Sequence, residues 1–560
     1  MRSVKAVLVT RAVCLAALLL AACTSPAIGN NPGIGPTAPA GPLPRLATAT
    51  PFQPQAATPT PSVLRVWLSP ALPEALRAPI VSLSRQGNGR IDLVRDEGQA
   101  EIVAGPNAES PLATWIYAVV APFPTVQDGL TIEELRAAWT GGRTLLTDEN
   151  TAAAFQAFLG GSAGGSPTLA PSNAVLDRTW AARPALAVVP FEALDPRWKV
   201  LELGGVSPIR RDFDPAGYPL VVSFGLSGEP QAVAALQELL RAGEVAGTGW
   251  PSTNRDPDRL TVLVMTGVTA LARATAWRMD VNGVDYPGEL IGDWLREADL
   301  THTSNEVSFA ENCPQPDPAS VSLRFCSAPG NMALLEDVGI DVIELTGNHV
   351  VDWGREAFLQ TLDLYRLAGM EYFGGGADLA ESLQPLLVEH NGNRLAFLGC
   401  NPAGPSFAWA TETLPGAAPC DYERLYAEVA RLRGEGYLPV FTFQWAEFYR
   451  SRPMSPQVAG FRAAIDAGAL IVSGSQAHQP QGFEFYGAGF IHYGPGNLFF
   501  DQMWSIPTRQ EFIDRYVIYD GRHISTELLT AFLEDWAQPR PMTPEERAAF
   551  LEAMFTASGW

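Results

Sequence analysis

Basic residues are in short supply in this chain. Lysine and arginine together number 38 against 60 aspartates and glutamates, for a formal charge of −22 over 560 residues. Such a balance excludes a nucleic-acid binder, because nothing neutralises the phosphates. It also excludes a polybasic contact with anionic lipid. Six cysteines occur, and none stands in a CxxC pair, which argues against a zinc ribbon. Glycine-rich Gly374-Gly375-Gly376 lacks a following Lys-Ser/Thr, which excludes a P-loop and leaves a strand-to-helix turn. No apolar run is long enough to cross a bilayer comfortably, since the stretch Ala12–Ala22 falls short of about 20 residues.

That short stretch has another use. Arg2, Lys5 and Arg11 flank it, and small residues end it, as in a signal peptide. Leu20-Ala21-Ala22-Cys23 resembles a bacterial lipobox, which implies removal of residues 1–22 and lipidation of Cys23. The expected location is the bacterial cell envelope, outside the cytoplasm and anchored to the membrane by lipid. Residues 23–62 are rich in Pro, Thr and Ala and nearly uncharged, and read as an extended linker. Outside the cytoplasm, the remaining Cys313, Cys326, Cys400 and Cys420 favour disulfides. Of three pairings, proximity in sequence favours Cys313–Cys326 and Cys400–Cys420.

A chain of this length exceeds one core, so two domains are expected. Residues 63–250 alternate strand-like and helical runs. Val63–Leu68, Ile116–Pro122, Ala185–Pro190 and Pro219–Phe224 read as strands. Thr131 and Glu134 form a capping box that opens a helix, with Leu135 and Trp139 on its buried face. The segment is an α/β unit, and its sequence loosely resembles the phosphate- and oxyanion-binding type of periplasmic solute-binding protein. It has no Ser/Thr-Gly cluster of the kind that cradles the anion in that family. A turn-rich run, 247–258, marks the boundary. The second unit, 258–560, begins with the strand Leu260–Met265 and ends in a helix. Thr543, Pro544 and Glu546 cap that helix, and Phe550, Leu551, Met554 and Phe555 pack it.

Within the second unit, Val342-Ile-Glu-Leu345 reads as a strand that delivers Asn348 and His349 in a loop. Leu470-Ile-Val-Ser-Gly-Ser-Gln-Ala-His478 is a second strand carrying an amide and an imidazole at its end. Asn and His at strand ends are the residue types that present metal ligands or acids to a cleft. Five elements stand in a telling order. They are Gly267, the segment Glu297–Glu306, Asn348-His-Val-Val-Asp-Trp-Gly354, the run 372–385, and the run 474–502 with His478 and Phe499-Phe500-Asp501. In this order they resemble the CapA family of capsule and poly-γ-glutamate synthesis proteins. That resemblance implies a four-layer α/β/β/α metallophosphatase-like sandwich, in which strand-end loops meet over one or two divalent cations.

Residue by residue, the family pattern is kept at Glu306, Asn348, His349, Asp352, Gly354 and His478. It is altered where Val268 replaces an Asp, Ser304 an Asn, and Gln444 and Gln476 each a His. An aliphatic group cannot ligate a metal, and an amide cannot act as a base. The expectation is a depleted site. It is either a polar pocket of Ser304, Asp352, Gln444 and Gln476 beside Asn348, His349 and His478, or a single Mn, Zn or Mg ion on Glu306, Asn348, His349 and His478. His302 is a further candidate for the cleft, whereas His492, Phe483, Phe485 and Tyr486 read as packing residues.

Three functions compete. The first is a lipoprotein in synthesis, export or anchoring of an anionic or carbohydrate polymer, working beside the synthesis machinery. The second is a metal-dependent hydrolase of phosphoesters or γ-peptide amides, with Asn348, His349 and His478 catalytic. The third is a solute-binding lipoprotein that acts through residues 63–250.

Overall fold

The computed structural model describes residues 63–560 apart from 87–88, 161–166 and 246–248. The signal-peptide, lipobox and linker readings at residues 1–62 lie outside the described residues.

Alternation decides the architecture of the second half. In the strand Leu260–Thr269, Leu263 and Val264 point to opposite faces, as successive strand residues must. The same holds for Val342 and Ile343, Val440 and Phe441, and Ile471 and Val472. Leu263, Val342, Val440 and Ile471 share one core with Phe373, Phe397 and Phe490. Val264 and Ile343 pack instead on Leu335, Phe358 and Leu362 of the helices Met332–Asp337 and Arg355–Ala368. Phe441 and Val472 pack on Leu425 and Val429 of Tyr422–Gly434 and Phe461 of Ser455–Asp466. Two sheets therefore face each other, with helices on both outer faces, which is the α/β/β/α sandwich expected.

One sheet has seven strands. Glu371–Phe373, Val342–Glu344, Leu300–Asn305 and Leu260–Thr269 run parallel, and the antiparallel Gln510–Tyr519, Arg522–Glu534 and Gln538–Pro541 follow. The other has six. In it Asn393–Cys400, Leu438–Gln444, Ile471–Ser475 and Gly489–His492 run parallel between antiparallel edges. Parallel strands put all their C-terminal ends at one rim, where ligands of open α/β sheets bind.

The first half is built on a nine-stranded mixed sheet, with the long strand Ser110–Pro122 near its centre. The capping box at Thr131 and Glu134 forms. The helix it opens stops at Ala137 and continues as a wider turn, Ala138–Gly142, because Gly141 takes φ 101°. Trp139 is buried from that turn rather than from the helix.

The turn-rich run before residue 258 is not a loose tether. Asn254 and Arg255 are buried. The Asn254 amide donates to the Ile116 carbonyl and its oxygen accepts from the Ile116 N–H, both at 2.8 Å. Arg255 Nε donates to the Pro208 carbonyl at 2.6 Å. Leu260, Val262, Val517 and Tyr519 join the core of the first half, and the described residues belong to one compact unit. Helix Pro544–Ala557 carries its expected capping box.

Across the same junction, Arg547 donates to both Asp128 oxygens at 2.7 and 2.8 Å, and Lys199 lies 2.7 Å from that carboxylate. Burial alone would raise the Asp128 pKa, but the two cations outweigh it and carry it from 3.8 down to about 2. Its contribution to stability is complete above the ordinary carboxylate pKa and is lost as pH falls through about 2. Thermal melts across this acid range should therefore fall more steeply for the parent protein than for Asp128→Asn.

Both expected disulfides are present, Cys313–Cys326 and Cys400–Cys420.

Candidate functional site

Along the inner faces of the two sheets, side chains change from apolar to polar toward the C-terminal rim. Thr442, Ser473, Ser475, Ser304 and Glu344 are all buried there. Ser304 and Ser475 meet across the gap, Oγ to Oγ, at 2.9 Å. His302 is 1% exposed and belongs to this layer, with Nε2 3.3 Å from Glu344 Oε2. It lies in the core between the sheets and not in the cleft, a correction to its candidacy. His492 is likewise core, its Nδ1 bonded to Asp514. Phe483 and Phe485 pack on Phe123, Phe490 and Trp560.

At the rim itself, Gln444 ends its strand with its side chain fully buried. Its amide nitrogen donates to Glu306 Oε1 at 2.6 Å and to Asn348 Oδ1 at 3.1 Å, and it also meets Gln476 Oε1. Three strand-end loops thus converge on one amide. The approach depends on Gly347, where a Cβ would sit 3.0 Å from Glu306 Cα. Gln476 reaches the knot from φ 71°, a left-handed conformation that non-glycine residues rarely take and that clusters at functional sites. The knot has a surplus of acceptors. Glu306 Oε2 and Gln444 Oε1 are buried and lack any donor. Such orphans cost free energy until something supplies a hydrogen.

The two histidines stand beside this knot rather than in it. His349 Nδ1 is 2.7 Å from Asp352 Oδ2, and its ring lies 4.4 Å from that of Phe325. Burial would lower its pKa, but the Asp352 bond and the charge of nearby Glu306 outweigh that and hold it above the ordinary value. His478 Nδ1 is 2.8 Å from Asn497 Oδ1, and its ring is 5.2 Å from Phe500. No hydrogen bond links either imidazole to Glu306, Asn348, Gln444 or Gln476.

Sequence inspection passed over several groups that shape this corner. Phe325 and Phe500 form an apolar cluster with Val268, Ala270, Ala272 and Val307. Arg273 lies over both rings at 4.7 and 5.3 Å and is pinned to Asp501. The motif around residue 497 contained Asn497, Phe500 and Asp501, so a signal existed. Arg273 and Phe325 had none, because their roles depend on packing across the cleft.

Val268 is fully buried within that cluster and pairs with Asn497. Where the resemblance implies an anionic metal ligand, this chain has a hydrocarbon contact. Among the described residues no group of three or more His, Cys, Asp or Glu is placed to hold a metal ion. The orphaned acceptors offer one carboxylate and neutral amides. The residues therefore do not fit the expected ion on Glu306, Asn348, His349 and His478.

Residues 262–502 match the family model described as bacterial capsule synthesis protein PGA_cap. Over these residues the chain is similar to the CapA proteins. The capsule biosynthesis protein CapA of Bacillus anthracis is 25% identical over 327 residues, covering 56% of this chain and 79% of that protein. The PGA biosynthesis protein CapA of Bacillus subtilis is 27% identical over 214 residues, covering 38% of this chain and 55% of that one. Among solved structures, a 5′-nucleotidase precursor from Thermus thermophilus aligns with TM-score 0.32 and 14% identity, over 54% of this chain and 58% of that one. The CapA-type part holds the whole Gln444 knot.

A second cleft, of about 900 Å³, opens in the first half at the ends of strands Leu64–Leu68, Leu145–Thr147 and Leu186–Pro190. Its charged lining is Glu74, Asp148, Glu149 and Glu192 against Arg77 alone. Asp148 caps the helix Glu149–Leu159 by accepting from the Thr151 N–H. Burial raises the Glu192 carboxyl above its ordinary pKa.

Proposed function

We propose that this protein acts in the synthesis, export or anchoring of a capsule-type extracellular polymer, and that its Gln444 cleft binds a segment of that polymer without a metal ion. The observation that carries the reading is the Glu306–Asn348–Gln444–Gln476 knot, which is built from amides and one carboxylate beside a buried Val268. Amides can donate and accept toward a chain of amide or hydroxyl groups. They cannot take a proton from water, so the hydrolase reading would have to draw its base from Glu306, His349 or His478. The names of the Bacillus relatives support the polymer role.

The test is direct. Purified full-length protein should show no thermal shift on titration with Mn, Zn or Mg salts, and no phosphodiesterase turnover. A shift of several degrees that is lost in His349→Ala and His478→Ala would move the protein to the hydrolase class.

Anchoring belongs to the same proposal. Cys23→Ala should release the protein from the membrane fraction, and unchanged retention would refute lipidation. The solute-binding reading is disfavoured on electrostatic grounds. Four carboxylates around one arginine repel an oxyanion, and Asp148 already occupies a helix terminus that would receive it.

A further inference from the structure

One disulfide reaches His349 through a single residue. Phe325 precedes Cys326, and its ring lies 4.4 Å from the His349 ring. The Phe325 N–H donates at 3.0 Å to Asp352 Oδ2, the same oxygen that lies 2.7 Å from His349 Nδ1. Arg324 donates to the Asp352 carbonyl from Nη2 at 2.9 Å and from Nε at 3.2 Å. The two residues before Cys326 therefore hold the Asp352–His349 pair.

Phe325 also lines a cleft of about 630 Å³, together with Cys313, Cys326, Arg273, Arg324 and Trp353. His349 is not part of that lining. Phe325 thus stands as a partition, with the cleft on one side and the imidazole on the other. The bridge opens on the same cleft, with Cys313 half-buried and Cys326 8% exposed. Among the described residues, 314–323 hydrogen-bond only within the loop that the bridge closes. Val321 at its tip is 92% exposed. A disulfide acts on such a loop by removing its conformational freedom. With the bridge open, only the contacts with Asp352 and the apolar cluster around Phe325 oppose that freedom.

We propose that Cys313–Cys326 is a redox latch. Closed, it keeps Phe325 against His349 and shuts the imidazole off from the cleft. Opened by a dithiol, it lets the loop withdraw and exposes His349. The latch works whatever the Gln444 cleft binds. A thiolate of the dithiol attacks Cys313 Sγ, breaks the S–S bond and expels the Cys326 thiolate, which takes a proton. The second thiol then displaces Cys313 from the mixed disulfide. Two electrons and two protons pass to the cysteines, and the dithiol leaves as a cyclic disulfide.

Full-length protein in detergent is treated with dithiothreitol under native conditions. Free thiols are mapped by alkylation, and the reaction of each histidine with diethyl pyrocarbonate is followed by peptide mass mapping. Cys313 and Cys326 should become alkylated, and His349 should react several-fold faster than in the oxidised protein. Reoxidation should restore the slow rate. His302 and His492, 1% and 0% exposed, should stay unmodified, which separates local opening from unfolding. Cys313→Ser/Cys326→Ser should show the fast rate without dithiol. Phe325→Ala should show it with the bridge intact, because the partition itself is gone. The latch is overturned if the bridge resists dithiol in the folded protein, or if His349 keeps its parent rate once the bridge is open. Joint modification of His302 and His349 also overturns it, since that is unfolding rather than release of one loop.

Discussion

Val268→Asp should lower the unfolding free energy by about 3–5 kcal/mol, the range for an uncompensated buried charge. The substitution puts back the carboxylate that the CapA resemblance implies at this position. It does so in a cluster of Val307, Ala270, Ala272, Phe325 and Phe500, where Val268 is fully buried. The guanidinium that could neutralise it, Arg273, is already paired with Asp501. Urea denaturation should show a lower midpoint with an unchanged slope, since the surface exposed on unfolding is the same. Added Mn should not recover the loss, because Gln444 and Gln476 remain neutral. A variant that is as stable as the parent and binds Mn would mean that the metal centre was one residue from restoration.

The second large effect is at Gln444. Its amide is the donor that reaches Glu306, whose other oxygen is already orphaned. Gln444→Leu leaves a fully buried carboxylate with no donor. It should cost a further about 3–5 kcal/mol and abolish ligand binding. The double variant Gln444→Leu/Glu306→Leu removes both partners. Replacing both groups of a buried polar pair by apolar ones is often nearly neutral. Asn348 and Gln476 still lose the Gln444 donor, so the double variant should recover part of the loss, melting between the single variant and the parent, while still failing to bind. A coupling measured this way separates the cost of an abandoned charge from the worth of the bond. If the single and double variants are equally destabilised, the loss does not come from Glu306, and the acceptor surplus at the knot has to be reassigned.

Much of this was legible in the chain. The apolar runs at Leu260–Met265, Val342–Leu345 and Leu470–Val472 read as strands, and the order of motifs from Gly267 to Asp501 carries the resemblance that implies the sandwich. Local rules sufficed at the capping boxes of Thr131 and Thr543 and for the pairing of cysteines close in sequence. Where the sequence reading erred or fell silent, the deciding contact was distant. His302 lies near Glu306 in sequence, but strand alternation and its pairing with Glu344 hold it between the sheets. The run before residue 258 reads as a domain boundary, and only the structure shows that Asn254 within it bonds Ile116, 138 residues away. The ring contact of Tyr449 with Trp504 joins two loops that no local pattern connects.

The sequence by itself determined the strands and the helix ends, and favoured the disulfide partners that the structure holds. Each of these follows from residue type and short-range spacing. Only the tertiary structure decided that Glu306, Asn348 and Gln476 meet on one amide, and that His349 and His478 are engaged elsewhere by Asp352 and Asn497. The reason is geometric. Parallel strands from two sheets bring their C-terminal ends to one rim. Which side chains touch there depends on how far each loop reaches across the gap, a distance that spacing along the chain does not contain.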